Sequence, residues 1–417
     1  MRNSRRSPKK ANLPAPFELT IDRYSHDGRG IGIHQGRVVM VSNAMPGEQV
    51  QVKLEQANTK LWQGKAVKHF TQSDRRQQPT CQYYGECGGC VLQHVPVSDQ
   101  VALKQSALED HLRRNKVPHD ALAEPISIEK VAYRHRARFQ VSKKGEVGFF
   151  NVKGNRIVPI SQCAVVVPAI NDALIIVKRE APLEGVKQLE LVIDDTDQLG
   201  ISVVEGSGAS KSALAQWGEQ QGWVSQAPLQ YRSAGAQTWA KPGSFTQVNR
   251  RVNTAMIEQA KAWLDLDVSD RVLDLFCGNG NVSLPFAKNV EAILGLEANQ
   301  EAIDMAMNSE QANQQTRYCV ANLFTSPLKD IPEIAQFNPT AVILDPPRAG
   351  AEAVVKNMNT LPTVQKILYI SCDPATLARD IAELIHDKWH LRKVGVMDMF
   401  PHTRHIESMA LLEKKKK

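Results

Sequence analysis

From about Lys241 onward the sequence alternates short apolar runs with helical stretches, and no other feature limits the fold as tightly. Arg271–Leu275, Ala292–Glu297, Arg317–Val320, Thr340–Leu344 and Lys366–Ile370 are too short for helices and too apolar for a surface. Strands buried on both faces and separated by helices build a parallel sheet. Residues 241–417 therefore read as a doubly wound α/β sheet. Asn249–Leu264 reads as a helix ahead of that sheet, and Leu391–Met399 with His405–Leu412 as an antiparallel hairpin after it.

Four motifs sit where such strands end. In Val272-Leu273-Asp274-Leu275-Phe276-Cys277-Gly278-Asn279-Gly280-Asn281 a strand runs into a glycine-rich turn, with a helix expected over Val282–Lys288. Glycines let backbone approach a ligand closely at the carboxyl edge of a sheet. A dinucleotide site would favour G-x-G-x-x-G; here the loop is shorter, and Glu297 closes the second strand where a carboxylate can grip a ribose diol. That arrangement is typical of methyltransferases and silent about the acceptor. The second motif is Leu344-Asp345-Pro346-Pro347-Arg348. Amino-group methyltransferases follow a similar Asp-Pro-Pro with an aromatic residue, so Arg348 argues against that class, and a plain strand-ending turn is the alternative.

The third motif, Tyr369-Ile370-Ser371-Cys372-Asp373-Pro374, puts a cysteine just past an apolar strand, flanked by polar residues and stopped by proline. A buried structural cysteine is the competing reading. In the fourth, Met399-Phe400-Pro401-His402-Thr403-Arg404-His405-Ile406-Glu407-Ser408, Glu407 is either a strand's solvent face or, beside a cysteine nucleophile, a general base. Together the parts fit one chemistry. Carbon 5 of uracil is a poor nucleophile until a thiolate adds to carbon 6 and turns the ring into an enolate. Once carbon 5 is methylated, a base must remove its proton so that the cysteine can leave.

Upstream, residues 13–70 read as short strands with turn signals and suggest a small OB-type barrel. Gly28, Gly30 and Gly32 precede no helix and read as hairpin glycines. Residues 71–240 read as a cysteine-rich loop, a helix near Val101–Asn115 and then strand-rich α+β sequence. Arg134, Arg136 and Arg138 alternate on one strand, where three like charges repel unless an anion meets them; RNA phosphate is the expected anion. Cys81, Cys87 and Cys90, with Cys163 far downstream, fit either zinc or an iron–sulfur cluster.

Composition narrows the partner. Lysine plus arginine number 51 against 44 acids, a net charge of +7, which permits a polyanion without requiring one. Much of the excess lies in a basic, disordered tail expected over residues 1–12 and in Lys414–Lys417. The apolar runs are too short to cross a bilayer and no secretory signal is evident, so a cytoplasmic protein is expected. An odd count of seven cysteines argues against a disulfide framework.

From about Phe17 to Leu412 the chain resembles the bacterial RNA uracil-5-methyltransferases, and within them the 23S ribosomal RNA branch with a TRAM domain and an iron–sulfur cluster. The resemblance rests on the four cysteines, Phe245-Thr246-Gln247-Val248-Asn249, the Asp274–Asn281 loop, Asp345–Arg348, Ser371–Pro374 and Phe400–Glu407. It implies a Rossmann-like methyltransferase domain behind a TRAM barrel. It implies S-adenosylmethionine as methyl donor, bound near Gln247, Phe276, Asn281, Glu297, Asn322 and Asp345. Cys372 matches the nucleophile, Glu407 the base, and Phe245 an aromatic near the target base. Cys81, Cys87, Cys90 and Cys163 match ligands of a [4Fe-4S] cluster. Asn322 comes from the resemblance alone, and Met305–Asn308 departs from the family's Asn-Ala pattern. The implied substrate is 23S rRNA at a uridine-1939-type position, methylated by a monomer away from any membrane. The tRNA uridine-54 type, which typically lacks barrel and cluster, is the alternative, followed by a non-catalytic RNA-binding protein.

Overall fold

The computed structural model describes residues 13–58, 61–118, 122–128, 130–309, 312 and 315–415, so the tail expected over residues 1–12 lies outside the described residues. The chain begins as a six-stranded sheet: β1 (Phe17–Thr20), β2 (Arg23–Tyr24), β3 (Gly30–His34), β4 (Arg37–Ser42), β5 (Gln49–Ala57) and β6 (Trp62–His69). Strict alternation along β5 sends Val50, Val52 and Leu54 into a shared core with Leu19, Ile21, Val39 and Val41. The strands pair in the order β1-β5-β6-β4-β3-β2, and Asp22 N–H donates to the Ile31 carbonyl, curling the sheet back on itself. Gly32 allows that closure, since a Cβ there would stand 2.3 Å from the Thr20 carbonyl oxygen.

A helix, α1 (Val97–Arg114), follows the cysteine-rich segment. Next come β7 (Arg136–Val141), β8 (Val147–Phe150), β9 (Ile157–Pro159), α2 (Pro168–Glu180), β10 (Val186–Ile193), β11 (Leu199–Gly206) and α3 (Gly208–Gln220). The five strands form an antiparallel sheet, β11-β10-β7-β8-β9, covered by Ile170, Ala173, Leu174 and Val177 along one stripe of α2. This sheet corrects the reading of the arginine strand. Arg136 is buried and ion-paired with Glu190 of β10, and Arg138 Nε lies 2.8 Å from the same carboxylate, so the anion that meets these two is internal. Arg134 precedes the strand and borders the large cavity described below.

A hairpin, β12 (Leu229–Ser233) and β13 (Ala236–Ala240), leads to α4 (Arg250–Leu264), whose first turn is capped by Asn249 accepting from Val252 N–H. The remaining elements are β14 (Arg271–Leu275), β15 (Ala292–Glu297), α5 (Gln300–Met307), β16 (Thr316–Val320), α6 (Pro332–Phe337), β17 (Ala341–Leu344), α7 (Glu352–Lys356), β18 (Lys366–Ser371), α8 (Pro374–Asp387), β19 (Trp389–Met397) and β20 (Glu407–Lys414). They build a seven-stranded sheet, β16-β15-β14-β17-β18-β20-β19, in which β20 alone runs antiparallel to its neighbours on both sides. Period-two alternation along β18 divides the core: Ile367 and Tyr369 join α1 and α8 on one face, Leu368 and Ile370 join α4 on the other. The helix expected over Val282–Lys288 is replaced by a single 3₁₀ turn at Leu284–Phe286. Phe286 and Ala287 bond three residues back, and Pro285, with no N–H to donate, interrupts the run expected to be helical. Among the described residues, no helix is long and apolar enough to cross a membrane.

Candidate active site

Strand order reverses between β14 and β17, which opens a crevice beyond the carboxyl ends of the parallel strands. A cavity of about 800 Å³ occupies it. Gln247, Phe276, Asn281, Glu297, Asn322, Asp345, Cys372 and Glu407, chosen from the sequence, all line this one cavity.

Its floor is the turn after β14. Phe276 has φ = 65°, a left-handed conformation costly for an aromatic residue. It is held because the Phe276 and Cys277 amides both donate to the Leu296 carbonyl, at 2.9 and 3.1 Å. Gly278 N–H donates to Glu297 Oε2 (3.3 Å), while Oε1 accepts from the Ala298 (2.7 Å) and Asn299 (3.0 Å) amides. The Glu297 carboxylate is thus fixed at the end of β15. Asn281 locks its amide against Asn253 of α4 through two 2.9 Å hydrogen bonds, so it braces the loop against that helix. Asn322 Oδ1 accepts from Phe324 N–H, and the Phe324 ring stands 5.5 Å from that of Phe276.

Acids converge beyond this floor. Burial pushes Asp274 up to about 7, against the Ser283 hydroxyl and with Glu297 adding to the rise. Burial and Asp274 push Asp345 up to about 7. Burial, then Asp345, pushes Glu407 up to about 8, opposed by Arg348 and Lys104. Carboxyl groups crowded into one hollow suit a cationic ligand, whose charge would favour their ionised forms. Cys372 lies past β18, just before α8. Burial, then Glu407 and Asp345, pushes its thiol up to about 11, with Arg348 opposing. The polar neighbours that drew attention to Cys372 are structural. Asp373 caps α8 by accepting from the Ala375 and Thr376 amides, and Ser371 bonds the Asp373 carbonyl. The helix start favours a thiolate beside it.

Sequence reasoning missed Lys104 as a site residue and left Arg348 and Arg134 without a place in the site. Arg348 counted only as an argument against another class, yet it acts on both Cys372 and Glu407 and bonds His405 Nδ1 at 3.1 Å. Arg134 lies over the Phe400 ring, 5.4 Å from its centroid. Lys104 is 3% exposed on the apolar stripe of α1. A lysine in line with Leu108 and Leu112 was the signal available for it.

The four cysteines are free thiols, partly buried. Cys87 feels Cys163 and Cys81, and Cys90 feels Cys163 and Cys87, so the set shares one neighbourhood across a long sequence gap. Cys87 Sγ accepts from Gly89 N–H at 3.4 Å, a bond that suits a thiolate. Among the described residues, no three His, Cys, Asp or Glu side chains are grouped closely enough to hold a single metal ion.

Comparison with known proteins meets this geometry. The TRAM domain description matches residues 16–67, and the description tRNA (Uracil-5-)-methyltransferase matches residues 188–415, more than half of the chain. The chain belongs to the uracil-5-methyltransferase family. Among curated uracil-5-methyltransferases, the 23S rRNA (uracil(1939)-C(5))-methyltransferase RlmD of Pseudomonas syringae pv. tomato is 36% identical, with 97% of this chain and 96% of that one aligned. The protein of the same description from Aliivibrio fischeri strain ES114 is 33% identical over 97% of this chain and 98% of its own. Among solved structures, the Pyrococcus abyssi tRNA (uracil-54, C5)-methyltransferase bound to S-adenosyl-L-homocysteine superposes with a TM-score of 0.72 at 23% identity. It covers 95% of this chain and 99% of that one, and at that identity it speaks for the fold.

Proposed function

We propose that this chain methylates carbon 5 of a uridine in 23S rRNA, at the position corresponding to uridine 1939 of its curated relatives, with S-adenosylmethionine as methyl donor. The observation that carries the reading is the meeting of Cys372, Glu407 and Asp345 in the same cavity as the fixed Glu297 carboxylate. Glu297 would hold the donor's ribose diol, and Asn322 and Phe276 line the same cavity beside it. Gln247, Asn281 and Asp345 complete the donor's surroundings, with the acids meeting its positive charges.

Cys372 Sγ, ionised at the head of α8 and facing Arg348, adds to carbon 6 of the uracil, and the ring becomes an enolate. Carbon 5 then displaces the methyl group from the donor's sulfur. Glu407 takes the proton from carbon 5, the C–H electrons restore the double bond to carbon 6, and the C–S bond breaks to return the thiolate. Phe245, 75% exposed at the cavity rim, offers a stacking face for a neighbouring base.

The segments divide the work: 13–70 as the TRAM barrel, 71–240 as a central domain and 241–417 as the transferase. Cys81, Cys87, Cys90 and Cys163 hold a [4Fe-4S] cluster. Four thiols that share one neighbourhood across a long sequence gap support that reading. The cluster would bind the four thiolates, offset part of their charge and tie Cys163 to the earlier loop. The protein acts as a cytoplasmic monomer.

The test uses anaerobically purified protein, methyl-labelled donor and 23S rRNA from an undermethylated strain with tritium at uridine carbon 5. Methyl incorporation matched by tritium release, both lost in Cys372→Ala, is the expected result. Methyl transfer without tritium release overturns the carbon-5 scheme; transfer to tRNA and not to 23S rRNA overturns the substrate. Iron and acid-labile sulfide analysis tests the cluster separately.

A further inference from the structure

Lys104 reaches the catalytic loop from outside the transferase sheet. Its ammonium, 3% exposed, lies 2.6 Å from Asp398 Oδ1 and 2.9 Å from the Phe400 carbonyl oxygen. Both partners open the loop that ends at Glu407. The Phe400 carbonyl also accepts from the Thr403 hydroxyl at 2.9 Å, so one lysine anchors the turn that aims Glu407. Gln100, one turn earlier on α1, accepts from His402 N–H at 2.7 Å, so α1 grips the loop twice. Asp398 Oδ2 has no hydrogen-bond partner among the described residues, which leaves the Asp398 carboxylate dependent on this lysine. The charged and titratable groups around Glu407 are Asp345 and Arg348 after β17, Cys372 after β18, Arg404 and His405 on its own loop, Arg134 across the cavity, and Lys104.

We propose that Lys104 is a positioning residue for Glu407: it fixes the loop that aims the carboxylate and lends it the positive charge it needs to act as a base. Burying an ammonium is costly, and α1 could close its core with leucine at this position. Asp398 and Glu407 both favour the charged form of Lys104 against the effect of burial, and Lys104 in turn favours the Glu407 carboxylate. The role falls on the last step, in which Glu407 takes the carbon-5 proton, the double bond to carbon 6 re-forms and Cys372 leaves as thiolate. Cysteine addition and methyl transfer come earlier and do not need it.

The proposal rests on Glu407 being the base, and the experiment separates the two. Methylated RNA–protein adduct is followed on denaturing gels, with its decay measured across pH. The wild type is compared with Glu407→Gln, Lys104→Met, Lys104→Arg and the double change Lys104→Met with Asp398→Asn, which leaves no unpaired buried carboxylate. Binding of S-adenosylhomocysteine reports that each variant is folded. The expected result is a persistent adduct in Glu407→Gln. In both Lys104→Met variants, adduct decay slows by roughly tenfold and its pH rise moves upward, because loss of a nearby cation favours the protonated carboxyl. Lys104→Arg restores decay toward the wild-type rate. Adduct that resolves normally in Glu407→Gln removes the base assignment, and this proposal falls with it. A stalled Glu407→Gln beside wild-type decay and pH profile in the double variant overturns the role of Lys104 alone. So does Lys104→Arg moving the profile as far as Lys104→Met.

Discussion

Burial, then its neighbours Glu407 and Asp345, holds the Cys372 thiol near 11. A nucleophile so placed must be activated by what binds: a cation entering the acid cluster offsets its negative charge and adds to Arg348 and the head of α8 in favouring the thiolate. Cys372→Ala is expected to lose activity by at least about 10⁴-fold, measured as methyl incorporation under single turnover. Glu407 must be ionised to accept a proton and titrates near 8. Adduct resolution should therefore rise by about tenfold per pH unit below that value and flatten above it, and a flat profile from pH 6 to pH 9 would remove Glu407 from the base role. Asp345 works in the opposite sense for stability. Its folded value is raised, so its contribution is fully present below the ordinary aspartate range and is lost as pH rises through about 7. The urea midpoint of the donor-free protein should fall between about pH 4 and pH 7 and level off above, and Asp345→Asn should lessen that fall. At this scale the sequence disclosed Cys372, Glu297 and Asp345 because each ends a recognisable strand. Lys104 was hidden, since what makes it matter is a loop nearly three hundred residues away; Arg134 was noticed only as one of three strand arginines, because distant elements close the cavity it borders.

At the level of elements, apolar runs five residues long sufficed to place β14, β15, β17 and β18, because strands buried on both faces have few other readings. The register between elements was less legible. The arginines of β7 were expected to look outward, but β10 brings Glu190 opposite them, and cross-strand partners are invisible until pairing is known. The turn after β14 failed as a helix for a local reason: Pro285 cannot donate the N–H that a helix over Val282–Lys288 needs there. Packing there is tight. A Cβ at Gly295 would stand 2.3 Å from Tyr318 Cδ1 and 2.9 Å from Cys277 Sγ. Gly295→Ala should therefore destabilise the protein by about 1–3 kcal/mol and weaken S-adenosylhomocysteine binding, since Cys277 belongs to the cofactor-facing turn. An unchanged urea midpoint would show that β15 and β16 can separate without cost.

Across the whole molecule, the cysteine segment and the catalytic loop touch. The Val91 and Leu92 amides both donate to the His402 carbonyl, and Arg404 lies 3.6 Å from Asp27 of the barrel. With the proposed cluster on these cysteines, Cys90→Ser is expected to lose iron and to speed amide exchange over residues 398–407 at least several-fold, as local opening becomes cheaper. Iron loss with unchanged exchange there would show that the loop stands without the cysteine segment. The sheet itself adds an interlock. Glu407 opens β20, which pairs with β18 on one side and β19 on the other, so the strand that completes the sheet also carries the proposed base. A copy that has not seated β20 has an open edge at β18 and no base near Cys372. Such a copy would keep the proposed nucleophile without the proposed base, so the seating of one strand separates an enzyme that releases its RNA from one that would hold it.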